Sequence, residues 1–213
     1  MGTIKQGILG GFSGKVGSVI GGNWKGISHM RSRAQTVKNP KTEGQVGQRT
    51  KFSSILQILQ AMGPLINIGF KDQAKQQTPF NAAMSYNLKN GVIGDAPTFS
   101  FNEGHFAFSR GKLLVPQGEN YSLDTENTTA TFTWTDNSGE GNALATDKAI
   151  LLAYSKTKGE SYYTIGDATR ADATADLVCP SSWSGEDLYL FMSFMSEDGK
   201  LISNSVSVGV EAF

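Results

Sequence analysis

The side chains that nucleophilic catalysis requires are few in this chain and far apart. The 213 residues include one cysteine, Cys179, and two histidines, His29 and His105. A nucleophile needs an adjacent base and a group that orients the base, and the stretch "GGFSGK" has lysine where a nucleophile elbow needs its last glycine. Cys179 stands before a proline, where a buried structural thiol is expected. We therefore expect no catalytic residue and no enzymatic activity.

Oxygen-rich stretches offer one candidate metal loop. The segment "DNSGEGNALATD", residues 136–147, places Asp136, Ser138, Glu140 and Asp147 at spacings that resemble a calcium-binding loop. The last position of such a loop usually holds a bidentate glutamate, and the flanking segments read as strands. We expect a polar loop between two strands, with neither a metal nor a cofactor.

Glycines are concentrated in residues 7–26, which hold eight of them together with two lysines and a tryptophan. The spacings of Walker and Rossmann phosphate loops are absent, and the lysines interrupt the ~20-residue apolar run of a membrane helix. Glycine permits close backbone approach, so we expect this segment to contact a neighbouring subunit, with a mobile tail as the alternative. The expected contact residues are Gly10, Gly11, Gly14, Gly17, Gly21, Gly22 and Trp24.

Charge is divided along the chain although the net charge is zero. Residues 1–52 hold nine Lys/Arg and one acidic residue (+8), whereas residues 111–213 hold six Lys/Arg and fifteen acidic residues (−9). This asymmetry predicts a basic segment that meets an acidic protein surface or a nucleic acid, unless each face is simply solvated. The predicted basic patch comprises Lys25, Arg31, Arg33, Lys38, Lys41, Arg49 and Lys51.

The elements that must position these residues change along the chain. Residues 27–33 alternate, with Ile27, His29, Arg31 and Arg33 on one strand face, and "GGNWKG" supplies turn residues, so a glycine-rich β-hairpin is predicted. A helix should begin after Thr42 and end at Gly63–Pro64, and a later helix should begin after Thr78 and close at Gly91.

From residue 95 the pattern becomes that of short strands separated by turn residues. Segments such as "TTATFTWT", "DKAILLAYS" and "EDLYLFMSFMS" favour a fibronectin type III-like or immunoglobulin-like sandwich. The predicted fold class is α+β and rich in β-structure. We predict a basic hairpin-plus-helix domain over residues 1–100 and an acidic sandwich domain over residues 101–213.

Four blocks of the sequence resemble an uncharacterised bacterial family of unknown function. They are "GILGGFSGKVGSVIGGNWKG", "NPKTEGQVGQRTKF", "FNAAMSYNLKN" and the C-terminal stretch from "TDKAILLAYS" to "SNSVSVG". The resemblance covers nearly the whole chain and implies no activity. The pattern NPxTxxQxxxRxxF is also similar to a stretch of some phage and prophage structural proteins, which implies a role in assembly.

Composition, charge and resemblance together predict a non-enzymatic structural or self-assembling protein, as a component of a phage-like particle or a surface assembly. Its expected partners are further copies of itself or other subunits. The alternative is a nucleic-acid-binding protein that uses the basic N-terminal segment. No signal-peptide pattern or membrane span is found, so we expect cytoplasmic synthesis, with incorporation into a particle as a further expectation.

Overall fold

The computed structural model describes residues 2–4, 10–36, 39–95 and 98–212. The chain forms two compact units, residues 1–42 and residues 43–213. Each unit has its own secondary structure. In the described part of the chain, no helix is both long enough and apolar enough to cross a bilayer.

The N-terminal unit is an antiparallel sheet in which each strand pairs with the next along the chain. Two-residue turns join its longer strands. Gly17 (φ 57°) opens the first turn, and Lys25 (φ 47°) and Gly26 (φ 85°) form the second, which matches the left-handed backbone of hairpin turns. The described strands are β1 (Thr3–Ile4), β2 (Phe12–Val16), β3 (Val19–Trp24) and β4 (Ile27–Ser32).

The predicted hairpin is therefore present as β3 and β4, within a larger sheet than the sequence indicated. The predicted turn over residues 21–26 is too long, because Gly21 through Trp24 pair with β4 and only Lys25 and Gly26 turn the chain. Glycine is typical of turns, but Gly21 and Gly22 pair with Met30 and His29 and therefore belong to strand β3.

The C-terminal unit begins with helices whose ends follow the predicted caps. The helix that follows Thr42 is α1 (Glu43–Ala61), and the chain restarts at Gly63 and Pro64 as the short α2 (Gly63–Gly69). The hydroxyl of Thr78 accepts a hydrogen bond of 3.1 Å from the Asn81 amide at the start of α3 (Pro79–Asn90). A two-stranded ribbon, β5 (Val92–Ile93) with β6 (Ser100–Phe101), follows α3.

The rest of the C-terminal unit is a sandwich of two antiparallel sheets. One sheet has the order β11-β8-β7 and the other has the order β10-β9-β12-β13. This arrangement of three and four described strands, which alternate between sheets along the chain, is typical of immunoglobulin-like and fibronectin type III-like sandwiches. The predicted fold class is confirmed. The strands are β7 (Asn120–Asp124), β8 (Thr129–Thr133), β9 (Lys148–Ser155), β10 (Glu160–Thr169), β11 (Thr174–Val178), β12 (Asp187–Met195) and β13 (Val206–Ala212).

The central strands β9 and β12 are buried on both faces. One face packs on the three-stranded sheet, for example through Leu151 and Leu190, and the other packs on the helices through Leu152 and Phe191. A strand covered on both sides reads as a continuous apolar run rather than an alternating one, which explains the stretch "AILLAY". Because the helices share this core, they lie in one compact unit with the sandwich. The units thus divide after Thr42, whereas the sequence placed a domain boundary near residue 100.

Candidate functional site

The N-terminal sheet has no core of its own. Among the described residues of this unit, only Gly21 is buried, and the first buried hydrophobic side chain along the described chain is Ile55. A sheet buries at least one face against another layer in a stable fold, and strands that lack such cover are marginal in water. We therefore take this sheet as the candidate site.

One face of this sheet is mainly apolar, and the polar side chains of Asn23, Ser28 and Ser32 also lie on it. The pairs Val16↔Val19 and Gly21↔Met30, together with Ile4↔Phe12, place these side chains on the same side of β1 to β4. Val16 is 52 % exposed and Met30 is 72 % exposed. We call Ile4, Phe12, Val16, Val19 and Met30 the apolar face.

The opposite side of the same sheet carries cations and aromatic rings. The pairs Trp24↔Ile27, Gly22↔His29, Ile20↔Arg31 and Lys15↔Ile20 define this side. Arg33 extends it, because its backbone amide donates to the Ser18 carbonyl (2.7 Å) one step beyond β4. The alternation predicted for Ile27, His29, Arg31 and Arg33 is thus present. We call Lys15, Trp24, His29, Arg31 and Arg33 the basic face.

Glycines in the strands make room for aromatic side chains within the sheet. A Cβ atom on Gly21 would lie 2.6 Å from the Phe12 ring, and one on Gly22 would lie 2.9 Å from Nε2 of His29. Gly14 (φ 104°) and Gly17 (φ 57°) have backbone conformations that L side chains rarely adopt, and Gly10 and Gly11 lie just before β2. Local packing therefore accounts for several of the predicted contact glycines, and their role toward a second subunit stays a prediction.

The predicted basic patch is divided between the two units. Lys25 lies in the turn between β3 and β4, and Lys41 is exposed just before α1. Arg49 and Lys51 belong to α1 in the C-terminal unit, where the Lys51 ammonium lies 5.9 Å from the centre of the Phe99 ring. Lys38 is outside the described residues. Lys15, which the sequence pattern did not indicate, lies on the same side of the sheet as Arg31, with Ile20 between them.

Charge changes sign at the boundary between the two units. Residues 1–42 hold seven Lys/Arg and no acidic residue, a net charge of +7. Residues 43–213 hold twelve Lys/Arg and all nineteen acidic residues, a net charge of −7. The C-terminal unit holds the ion pairs Lys158–Glu186, Arg170–Asp147 and Lys200–Asp198, and among the described residues no ion pair joins Lys15, Arg31 or Arg33 to a carboxylate.

The chain matches, over residues 11–209, the family described as "Family of unknown function (DUF6266)". The chain belongs to this family. The predicted membership of an uncharacterised family is thereby confirmed, and the matched region extends from β2 of the N-terminal sheet to β13. No curated protein matches the chain.

The last carboxylate of the candidate calcium loop is paired with an arginine from outside the loop. Oδ2 of Asp147 lies 3.1 Å from Nε of the fully buried Arg170 and also accepts the Leu144 amide (2.9 Å). The Arg170 guanidinium donates to the Leu114 carbonyl (3.0 Å) and stacks on the Phe194 ring at 3.9 Å. Asp147 is thus engaged as the partner of a buried cation. Among the described residues, no group of three or more His, Cys, Asp or Glu side chains is placed to hold a metal ion.

The chemistry-bearing side chains of the C-terminal unit are buried or dispersed. Burial raises the pKa of the Cys179 thiol to about 11, so that the thiolate needed for nucleophilic attack is scarce at neutral pH. A recess of about 200 Å³ is lined by Ser54, Gln57, Tyr154 and Lys156 among others, and its described lining includes no carboxylate, histidine or cysteine. Burial raises the pKa of Tyr154 as well, which keeps the phenol protonated. The N-terminal sheet remains the stronger candidate for function.

Proposed function

We propose that this protein is a non-enzymatic assembly protein, and that the apolar face of its N-terminal sheet packs on the same face of a second copy. The observation that carries the proposal is the uncovered apolar face of a sheet with no buried side chain. Contiguous exposed apolar surface on an otherwise polar protein marks a site of protein–protein contact. In the proposed pair, Val16 and Met30 change from exposed to buried.

A second copy is the partner that fits this sheet. Two identical sheets packed about 10 Å apart form a sandwich, and a two-fold pair offers each copy a surface of the same size and character. The described cations of the sheet, Lys15, Arg31 and Arg33, would then point outward into water on both sides. Such a pair supplies the core that one copy lacks and keeps like charges apart.

Gly14, in the glycine-rich segment, lies on the face that makes this proposed contact. It pairs with Gly21 on the apolar side of β2 and β3, so that the middle of the contact face has no side chain of its own beyond the Phe12 ring. Absence of a Cβ lets another backbone or side chain approach closely. We therefore propose that the second copy approaches the backbone most closely at Gly14 and Gly21.

Two lysine substitutions of equal exposure test the contact. Val16 (52 % exposed) lies on the apolar face and Ile27 (53 % exposed) lies on the other side of the same sheet. In mass photometry and light scattering, the wild-type protein and Ile27→Lys should be oligomeric. Val16→Lys should dissociate with an affinity weaker by about thirtyfold or more, the size of effect seen at interface hot spots. A wild-type monomer at every concentration contradicts the proposal.

The direction of the salt dependence separates an apolar contact from an electrostatic one. An apolar contact between two units of +7 should be strengthened by salt, which screens their mutual repulsion. A contact between the +7 unit of one copy and the −7 unit of another should instead be weakened by salt. Dissociation of the wild-type oligomer with rising salt would exclude the apolar face as its main contact.

The sequence also led us to expect a component of a phage-like particle or a surface assembly. Growth into such an assembly requires a further contact between the proposed pairs. Negative-stain electron microscopy of concentrated protein tests for it, with Val16→Lys as the control that should show only single subunits. Regular particles or sheets in the wild-type sample support the larger setting.

A further inference from the structure

The basic face has a regular spacing of cations beside an exposed aromatic ring. His29, Arg31 and Arg33 alternate along one edge strand and its extension, so that successive side chains are about 6.8 Å apart. Lys15 lies on the same side, two strands away from Arg31. Trp24 stands at the end of this row, paired with Ile27.

We propose that the basic face binds single-stranded nucleic acid, with Lys15, Arg31 and Arg33 on the phosphates and Trp24 stacked on a base. The spacing of alternate residues along the strand is close to that of successive phosphates in an extended single strand. Single-strand-binding surfaces combine a basic track with aromatic rings on which bases stack. This binding goes beyond the assembly role, because it uses the opposite side of the sheet.

The aromatic ring favours nucleic acid over an acidic protein as the occupant of this face. An acidic protein surface needs only the cations and gains little from an exposed indole, whereas every base offers a flat face for stacking. Trp24 is 52 % exposed on the same side as the arginines. The outward position of this face in the proposed pair leaves it open to a long, flexible ligand.

Trp24 is also a specific reporter of stacking. The other two tryptophans, Trp134 and Trp183, are 5 % and 1 % exposed in the core of the C-terminal unit. Quenching of tryptophan fluorescence by an added oligonucleotide therefore reports on Trp24. Polyphosphate binds the cations without a base and should leave the emission nearly unchanged.

The experiment titrates full-length protein with fluorescein-labelled oligothymidylate and with a matching oligouridylate, by anisotropy and by tryptophan quenching over a salt series. We expect binding at low salt with quenching. The double variant Arg31→Gln/Arg33→Gln should lower the slope of log affinity against log salt by about 1.4, for two lost phosphate contacts. Trp24→Ala should weaken binding by about five- to 150-fold, and Trp24→Phe should recover most of that loss.

A matched control removes two charges elsewhere. Lys71→Gln/Lys75→Gln, in the exposed segment after α2, changes the net charge equally and should leave binding and its salt slope unchanged. The absence of binding at low salt, equal losses in both double variants, or binding of polyphosphate as tight as that of the oligonucleotide would overturn the proposal. Because oligomeric state is measured in the same samples, failure of this binding is separable from failure of the assembly proposal.

Discussion

The two four-stranded sheets of this protein differ in what covers them. In the C-terminal unit, the sheet containing β9 and β12 is covered on one face by helices and on the other by a second sheet. In the N-terminal unit, none of the described residues has a buried side chain on either face of the sheet. The first sheet is the centre of a packed core, whereas the second is the sheet for which we propose a partner.

The contrast extends to charge. The covered sheet lies in a unit that holds every acidic residue of the chain, and the uncovered sheet lies in a unit that holds none. Net charge of one sign raises the affinity of a surface for partners of the other sign and does not determine fold. Apolar contact and charge are therefore assigned to opposite faces of the N-terminal sheet, and each face can be tested separately.

The largest effect is expected from a core truncation in the covered sheet. Phe191 is fully buried against Phe106 (ring centres 5.5 Å apart), so Phe191→Ala should lower the free energy of unfolding by about 3–5 kcal/mol. Met30→Ala, in the uncovered sheet, should change it by about 0.5 kcal/mol or less in dilute protein. Urea unfolding followed by far-UV circular dichroism measures both. Similar losses in the two variants would remove the contrast between the sheets.

A second large effect is expected at the buried ion pair of the sandwich. Arg170→Met leaves the Asp147 carboxylate buried without its cation and should lower the free energy of unfolding by about 3 kcal/mol. The double variant Arg170→Met/Asp147→Leu removes both charges and should recover part of the loss. Addition of calcium should stabilise neither the wild-type protein nor the variants, and a calcium-dependent rise in Tm would restore the metal-loop interpretation.

A smaller effect is expected in thiol chemistry. Because burial raises the pKa of Cys179 from 9.0 to about 11, the folded protein should hold about a hundredfold less thiolate at pH 8 than an exposed cysteine does. Reaction with Ellman's reagent should therefore be slow in buffer and fast in urea. Fast reaction of the folded protein would show that this part of the C-terminal unit opens readily, and would contradict the stability expected of its covered sheets.

The smallest effect concerns pH and a surface cap. The Thr169 backbone amide and hydroxyl donate to Asp172 and lower the pKa of its carboxyl group. A lowered pKa in the folded state stabilises the fold above the unfolded pKa of about 3.9, and this stabilisation is lost as pH falls through the folded value. Asp172→Asn should thus be less stable than wild type at pH 7 and nearly equal to it at low pH, by urea midpoint. Asp187→Asn, at an exposed position at the start of β12, is the control.

Local signals in the sequence predicted local structure well. The cap at Thr78, the stop at Gly91 and the alternation of His29 and Arg31 all follow from short-range rules of helix ends and strand faces. Lys15 was missed because it lies sixteen residues from Arg31 in the sequence, and only strand register places the two on the same face, with Ile20 between them. The shared core of helices and sandwich was also missed, because its contacts join residues far apart in the sequence. The unbroken apolar run of β9 does indicate a strand that is buried on both faces.

Hydrogen exchange of the N-terminal sheet as a function of protein concentration tests the central claim most directly. If a second copy covers the apolar face, amides of β3 and β4 should be protected in concentrated protein and should exchange rapidly on dilution below the dissociation constant. Val16→Lys should exchange rapidly at both concentrations, and β9 and β12 should remain protected throughout. Strong protection of β3 and β4 in dilute, monomeric protein would contradict the claim, because the sheet would then be stable without a partner.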